Sequence, residues 1–332
     1  MTTPIRLGTR RSALAQAQSG HVATALEKVT GRPVQLVPIT SEGDTNRASL
    51  SEIGGQGIFA TRLREALFSG ECDFLVHSLK DLPTAIPEGL VIAATPERED
   101  ARDVVLTRDG IPLHALRSGS TVGTGAPRRI AQVRRRAPHA EVVDIRGNVD
   151  SRLARVASGE LDAVILAAAG LSRLDANSPL RREELGLAEW PTAPGQGSLA
   201  VETTADAPAE LLEALAALDH RPTRLAITVE RAILEGLDAG CQAPMAAHAI
   251  VEGASVRVRT VVYSAAGDRR IGLDVTEDLN GEYIRRNGSG NGADAADGAG
   301  PMHAARELGL TVARRLLDQG AADLVSREHL SS

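Results

Sequence analysis

The chain is predicted to be an α/β protein: two α/β lobes followed by a small α+β C-terminal domain. Three observations carry this expectation. The 332 residues exceed what one core organises, since domains of roughly 100 to 150 residues predict two or three such units. Short apolar runs alternate with segments of helical spacing, first over about 75 residues and then again over the next stretch. From residue 221 the grammar changes to alternating strands set between two helices.

In the first lobe, residues 5–8 read as an apolar strand, 12–29 as a helix with Ser12 at its N-cap, and 34–39 as a second strand. Residues 58–68 repeat at helical spacing and stop at Gly70, and 72–76 form a short apolar run suited to a buried strand. The second lobe repeats the pattern, with strands near 104–106, 121–122, 142–145 and 163–167 and helices near 128–136 and 149–157. The charged, proline-containing 95–103 segment carries the chain from one lobe to the other, and a strand at 199–202 with a helix at 211–218 returns it. The expected domains are 1–97 with 198–218, then 98–197, then 219–332. The third comprises a helix at 221–237, a glycine-containing loop at 238–242, strands near 256–263 and 271–275, and a last helix at 304–317. Residues 287–300, almost wholly Asn, Gly, Ser, Ala and Asp, cannot bury enough apolar surface to order themselves and are expected to be a flexible loop.

Composition excludes several functions. A net charge of -6 argues against nucleic-acid and anionic-membrane partners, so any anion site must be a local pocket. No apolar run approaches the roughly 20 residues that span a bilayer, and the N-terminus lacks a basic-then-apolar leader pattern, so a cytoplasmic location is expected. Cys72 and Cys241 are the only cysteines, which leaves neither a disulfide framework nor a cysteine zinc site, and the histidines are scattered; no metal is expected. Lys28 and Lys80 are the only lysines in an arginine-rich chain, so Lys80 calls for a specific explanation.

Five constellations could carry chemistry. His77-Ser78-Leu79-Lys80-Asp81-Leu82-Pro83 follows a buried strand, where α/β sheets gather ligands, and sets a cation, a carboxylate and a hydroxyl side by side; an ordinary surface ion pair is the bland reading. Gly123-Thr124-Gly125-Ala126-Pro127-Arg128-Arg129 runs from a strand through a glycine turn into a helix, an arrangement that binds carboxylates or phosphates. It lacks the third glycine and the acidic partner of a dinucleotide fingerprint, which argues against a nicotinamide dehydrogenase. Arg146-Gly147-Asn148 with Arg152, Arg173 after Gly170, and Arg10 with Ser12 repeat the placement beyond strand ends, and a guanidinium fork matches a carboxylate bidentately. Pro194-Gly195-Gln196-Gly197 reads mainly as a chain turn. Gly240-Cys241-Gln242 places a thiol in a polar loop, where nearby cations could favour the thiolate, whereas Cys72 reads as buried and inert.

With these residues in view, the chain resembles the hydroxymethylbilane synthase (porphobilinogen deaminase) family over nearly its whole length. The resemblance rests on segments in family order: Gly8-Thr9-Arg10-Arg11-Ser12, Gly54-Gly55-Gln56-Gly57, Val76-His77-Ser78-Leu79-Lys80-Asp81, Glu97-Arg98-Glu99-Asp100, Arg146-Gly147-Asn148-Val149, Gly195-Gln196-Gly197 and Gly240-Cys241-Gln242. It implies two lobes like those of a periplasmic binding protein and a third domain carrying a reactive cysteine, in a monomer. It implies a dipyrromethane primer joined to Cys241 by a thioether, on which four porphobilinogen molecules are polymerised with loss of ammonia.

Carried over residue by residue, the resemblance makes Asp81 the main catalytic group, stabilising the azafulvenium cation and shuttling protons, with Lys80 beside it on the primer's acidic side chains. It places Ser78, Arg128, Arg129, Arg146 and Arg152 with Lys80 and Asp81 around the cofactor. Arg10, Ser12, Arg146, Arg152, Arg173 and Gln196 fall to the substrate's carboxylates, and Phe59 stacks near a growing pyrrole. Two departures stand out. Gln56 replaces a frequent Lys in a mobile loop, and Gly125-Ala126-Pro127 replaces Ser-Ser-Leu, which removes a hydroxyl donor. The competing reading is a non-catalytic two-lobed protein that captures a small anion, for which the joint presence of Asp81 and Cys241 has no use.

Overall fold

A computed structural model of the chain describes residues 3–40, 58–175, 178–238, 243–279 and 300–325. The chain divides into two compact units, Met1–Ala101 with Ala168–Asn177 and Gln196–Arg221, and Arg102–Ala167 with Ser178–Gly195 and Pro222–Ser332.

The first unit is a five-stranded mixed sheet. Its strands are β1 (Ile5–Arg10), β2 (Val34–Ile39), β3 (Phe74–Ser78), β4 (Leu90–Ala94) and, from the later visit of the chain, β10 (Leu199–Thr204). Their order is β2-β1-β3-β10-β4, with β1 parallel to β2 and β3, and β10 antiparallel to both its neighbours. Helix α1 (Ala13–Thr30) starts where Ser12 accepts a hydrogen bond from the Ala15 amide, and it stops at Gly31, whose φ of +65° only glycine adopts without strain. Leu26 and Val22 of α1 pack with Leu7, Phe74, Val76 and Val201 on one face of the sheet. On another cluster α2 (Ile58–Phe68) lays Leu63, Ala66 and Leu67 against Ile39, Leu75 and Leu90. Burial of each such side chain contributes roughly 1.5–3 kcal/mol, which is why alternate residues of β3 face two separate apolar layers.

The second unit repeats the arrangement. Strands β5 (Asp103–Thr107), β6 (Thr121–Gly123), β7 (Glu141–Val143), β8 (Ala163–Ala167) and β9 (Arg181–Leu185) lie in the order β7-β6-β8-β5-β9. Here β6 is parallel to β7 and β8, while β5 runs antiparallel to β8 and β9. Helices α3 (Pro127–Arg136) and α4 (Val149–Ala157) follow β6 and β7. The strand expected at 142–145 is shorter, ending at Val143, and Ile145 is buried beyond it. The same unit holds a three-stranded antiparallel sheet, β11 (Met245–Glu252), β12 (Ser255–Tyr263) and β13 (Arg270–Asp278). Around it lie α7 (Arg221–Gly236), α8 (Pro301–Asp318) and the short α9 (Ala322–Val325). The remaining helices, α5 (Ala168–Arg173) and α6 (Ala209–Ala216), belong to the first unit.

Strands β4, β9 and β11 and helices α5 and α9 were not anticipated. The fold class otherwise stands as expected: two α/β sheets of the same strand order and a smaller α+β element. Of the 287–300 stretch only Gly300, the N-cap of α8, is among the described residues.

Helices α7 and α8 approach closely through small residues. A Cβ placed at Gly309 would meet Ala232 Cβ and the Val229 carbonyl, both at 2.5 Å. Replacing a helical glycine by Ala gains up to about 1 kcal/mol of propensity, but overpacking against backbone costs about 1–3 kcal/mol. Gly309→Val is therefore expected to lower the thermal midpoint by several degrees in a calorimetric scan, and an unchanged midpoint would show that the helices can separate without cost.

Candidate active site

In the first unit the candidate site grows from the carboxyl ends of β1 and β3. Arg10 closes β1, and Ser12, two residues on, caps α1. Gln16 donates through Nε2 to the Arg11 carbonyl at 2.8 Å, which fixes the intervening turn. At the end of β3 the Ser78 hydroxyl accepts from Gln18 Nε2 of α1 at 2.9 Å. The chain then enters a single 3₁₀ turn, Leu79–Asp81. Leu79 is wholly buried and its amide donates to the Ser198 carbonyl at 3.0 Å, so the turn is anchored at its first residue. Lys80 is half-buried, whereas Asp81 is exposed and its carboxylate makes no hydrogen bond or ion pair with a described residue.

Lys80 Nζ donates to Gln196 Oε1 at 3.4 Å, and Gln196, only 1% exposed, donates through Nε2 to the Ala101 carbonyl at 2.8 Å. Backbone carbonyls of the same segment collect two guanidinium groups: Arg98 Nε to Gln196 at 2.8 Å and an Arg173 terminal nitrogen to Gly197 at 2.6 Å. Burial pulls Arg173 below its ordinary value, and Glu99 partly offsets this. Gly197 has φ +87°, and any Cβ there would run into the Glu99 carbonyl. The Gly195-Gln196-Gly197 turn is thus more than a reversal of direction, because it seats the side chain that holds Lys80.

Behind the Lys80–Asp81 turn lies a buried charge cluster that sequence reasoning missed. Glu202 of β10 is fully buried and accepts from Arg64 of α2 through Nε at 3.0 Å and a terminal nitrogen at 2.7 Å, and it meets His77 Nε2 at 3.0 Å. Burial alone would push this carboxyl up, but the hydrogen bonds from His77 and Arg64 outweigh it and hold the pKa at about 2.

In the second unit Arg128 and Arg129, expected as an open fork for carboxylates, are 4% and 6% exposed. Both bind Asp103, the first residue of β5: Arg128 to Oδ2 at 2.9 Å and Arg129 to Oδ1 at 2.6 Å, with Trp190 Nε1 also on Oδ2 at 2.9 Å. Burial would raise the Asp103 pKa, but the two guanidinium groups drive it far below the usual carboxylate range. Burial also pulls Arg128 down, an effect Asp103 offsets. Arg128 further donates to Gln132 Oε1 at 2.6 Å, and Gln132 reaches the Pro191 carbonyl at 2.9 Å and the Tyr263 hydroxyl at 3.3 Å. Two buried cations share one carboxylate, and Arg129 Nε is a buried donor with no acceptor among the described residues. Asp103 carried no signal in the sequence beyond starting an apolar strand.

Arg146 is exposed, 3.8 Å from Asp144, in a turn where Gly147 has φ +111°. Asn148 caps α4 by accepting the Ser151 amide at 2.8 Å, and Arg152 Nε donates to the Gly147 carbonyl at 2.9 Å. Gly125 lies where a Cβ would stand 2.6 Å from Asp144 Oδ1, so the glycine that displaces a hydroxyl residue there allows close packing of this turn. Cys72 is 2% exposed, and burial raises its thiol to about 11. Cys241, Gln56 and the side chain of Phe59 lie outside the described residues. Among the described residues no His, Cys, Asp and Glu group could hold a metal, and no helix is long and apolar enough to cross a membrane.

In each unit, taken by itself, charged side chains stand beyond the carboxyl ends of parallel strands, the place where α/β proteins gather ligands. Residues 5–211 match the family model described as "Porphobilinogen deaminase, dipyromethane cofactor binding domain", and 224–318 match "Porphobilinogen deaminase, C-terminal domain". Porphobilinogen deaminase of Leifsonia xyli is 46% identical over 326 residues, covering 96% of this chain and 94% of the relative. Porphobilinogen deaminase 1 of Streptomyces coelicolor is 49% identical over 330 residues, 97% of each chain. Among solved structures, a Salmonella typhimurium periplasmic binding protein aligns with a TM-score of 0.39 at 15% identity over 65% of this chain and 92% of its own. The chain belongs to the porphobilinogen deaminase family, whose members are also called hydroxymethylbilane synthases. It is a transferase of tetrapyrrole biosynthesis with a dipyrromethane cofactor domain.

Two expectations follow from the buried carboxylates. Asp103→Asn strips the counter-charge from two buried guanidinium groups and should cost about 3–5 kcal/mol of unfolding free energy in a denaturant titration; a loss below about 1 kcal/mol would mean that the cluster is hydrated. Because the Glu202 pKa is lowered, its contribution is fully present above about 4.5, the unfolded value, and is lost as pH falls toward about 2. Removing that carboxylate by Glu202→Gln should flatten the decline of stability between about pH 5 and pH 2 relative to the parent protein.

Proposed function

We propose that the chain polymerises four porphobilinogen molecules head to tail, with loss of ammonia, to give hydroxymethylbilane on a dipyrromethane primer held by a thioether at Cys241. The observation that carries this reading is the Lys80–Asp81 turn: an exposed, unpaired carboxylate beside the half-buried lysine of an arginine-rich chain, on the end of the central strand of a dipyrromethane cofactor domain.

The residues present fit such a primer. Two pyrrole rings bring four carboxylates, and the second unit buries two guanidinium groups against one carboxylate, with a donor of Arg129 still without an acceptor among the described residues. Arg128, Arg129, Arg146 and Arg152 with Ser78, Lys80 and Asp81 are the groups assigned to it. When bound, the primer supplies the nucleophilic carbon of its terminal ring. Lys80, braced by Gln196, neutralises acidic side chains and leaves Asp81 uncompensated. Asp81 then stabilises the positive charge that develops on the substrate as ammonia departs, and it accepts and returns protons at the pyrrole N–H. Arg10, Ser12, Arg146, Arg152 and Arg173 hold acetate and propionate groups of the incoming unit. Phe59 stacks on a growing pyrrole, and Gln196 acts through Lys80. The reading keeps three domains, 1–97 with 198–218, 98–197 and 219–332, in a cytoplasmic monomer.

Intact-mass analysis after incubation with porphobilinogen tests it. The protein should exceed its sequence mass by at least one dipyrromethane, and Cys241→Ser should return it to the bare mass. Asp81→Asn should keep the excess and lose about 10²–10⁴-fold in turnover, the range expected for removal of a general acid–base group. A Cys241→Ser protein that still carries the added mass defeats the thioether assignment.

A further inference from the structure

We propose that the buried carboxylate of Glu202 is a positioning group for the Lys80–Asp81 turn, acting through His77 on β3 and Arg64 on α2. This inference rests on Asp81 and Lys80 being the reacting groups assigned in the preceding section.

The placement follows from strand register. His77 lies opposite Ala200 in the antiparallel β3–β10 pair, and Glu202 lies opposite Leu75. Glu202 is thus the diagonal neighbour of His77 on the same sheet face, within reach for long side chains. That face is the one covered by α2, since Leu75 packs with Leu63, Ala66 and Leu67. Arg64 of the same helix closes on the carboxylate with two nitrogens, at 3.0 and 2.7 Å. On the opposite face, Ser78 is held by Gln18 of α1. In the plane of the sheet the Leu79 amide is held by the Ser198 carbonyl. The last residues of β3 are therefore constrained from three directions, immediately before the chain turns out toward Lys80 and Asp81.

Each arm of the cluster leads to a candidate site residue. His77 stands four residues before Asp81, Arg64 sits on the helix whose second residue is Phe59, and Glu202 follows Gln196-Gly197-Ser198 on the strand that begins at Leu199. Apolar residues of the same volume commonly fill such a place with equal or greater stability. What an ionised carboxylate with three directed hydrogen bonds adds is a fixed orientation of strand and helix, which an apolar contact cannot impose.

The test uses holoenzyme that carries its primer, with turnover expressed per primer-bearing molecule. His77→Phe, which removes the donor to Glu202, and Arg64→Met, whose parent side chain is 12% exposed, should each keep the primer mass. Each should lower kcat at least tenfold and leave KM for porphobilinogen within threefold. His77→Gln, whose amide can donate in place of Nε2, should recover at least threefold of the loss. A purely structural cluster would move the thermal midpoint and leave kcat unaltered, so kcat within twofold of the parent in Arg64→Met and His77→Phe overturns the inference. A loss that His77→Gln does not relieve overturns it as well. If His77→Phe yields no folded holoenzyme, Arg64→Met decides alone. Asp81→Asn is measured in parallel: full turnover there removes the underlying assignment rather than the role of Glu202.

Discussion

Crowding guanidinium groups is the constraint on which the second unit depends, because two cations cannot be packed side by side away from water unless an anion sits between them. Asp103 is that anion. It stands at the first residue of the strand that reverses direction in the sheet, takes a nitrogen from each of Arg128 and Arg129, and is braced by the Trp190 indole. Because α3 starts at Pro127, both arginines lie in its first turn, and the carboxylate fixes the helix as well as the charges. One carboxylate does not balance two guanidinium groups. The surplus positive charge sits within a protein that is acidic as a whole, so it stays a local feature and does not make the chain a general polyanion binder.

The first unit solves a related problem with the opposite sign. In the proposed mechanism its working group, Asp81, is a carboxylate that must stay uncompensated, so the neighbouring lysine has to be directed elsewhere. Gln196 receives it, and the Gln196 amide is fixed in turn by the Ala101 carbonyl. The backbone around Gln196 is tied by Arg98 and Arg173. Both units share one sheet order, but the charged turn of the first follows β3, whereas the paired arginines of the second follow β6, the counterpart of β1, so each sheet offers several parallel strand ends on which the sequence can place different chemistry.

Much of this was legible from local pattern. The helix at 13–30, the central strands of both sheets and the motif at 77–83 announce themselves through periodicity, a serine cap and a lysine in a chain that has only two. What local pattern cannot show is partnership at long range. Arg128 and Arg129 read as exposed because their counter-ion lies 25 and 26 residues earlier in the chain. Glu202 sits in an unremarkable strand, 138 residues from Arg64 and 125 from His77. Strand β9, with four charged residues in five, shows no apolar alternation because most of it is exposed at a sheet edge. Strand β11 is rich in alanine, whose weak strand preference hides it.

The burial of Cys72 bears on how selectively the protein can be modified. A thiol with a pKa of about 11 is ionised in roughly one molecule in ten thousand at neutral pH, and its sulfur is packed against the backbone near Gly8. An electrophile that reaches the folded chain therefore finds no competing nucleophile at this position. If Cys241 carries the primer as proposed, no recognition step is needed to reject Cys72, because acid–base chemistry and steric closure exclude that sulfur.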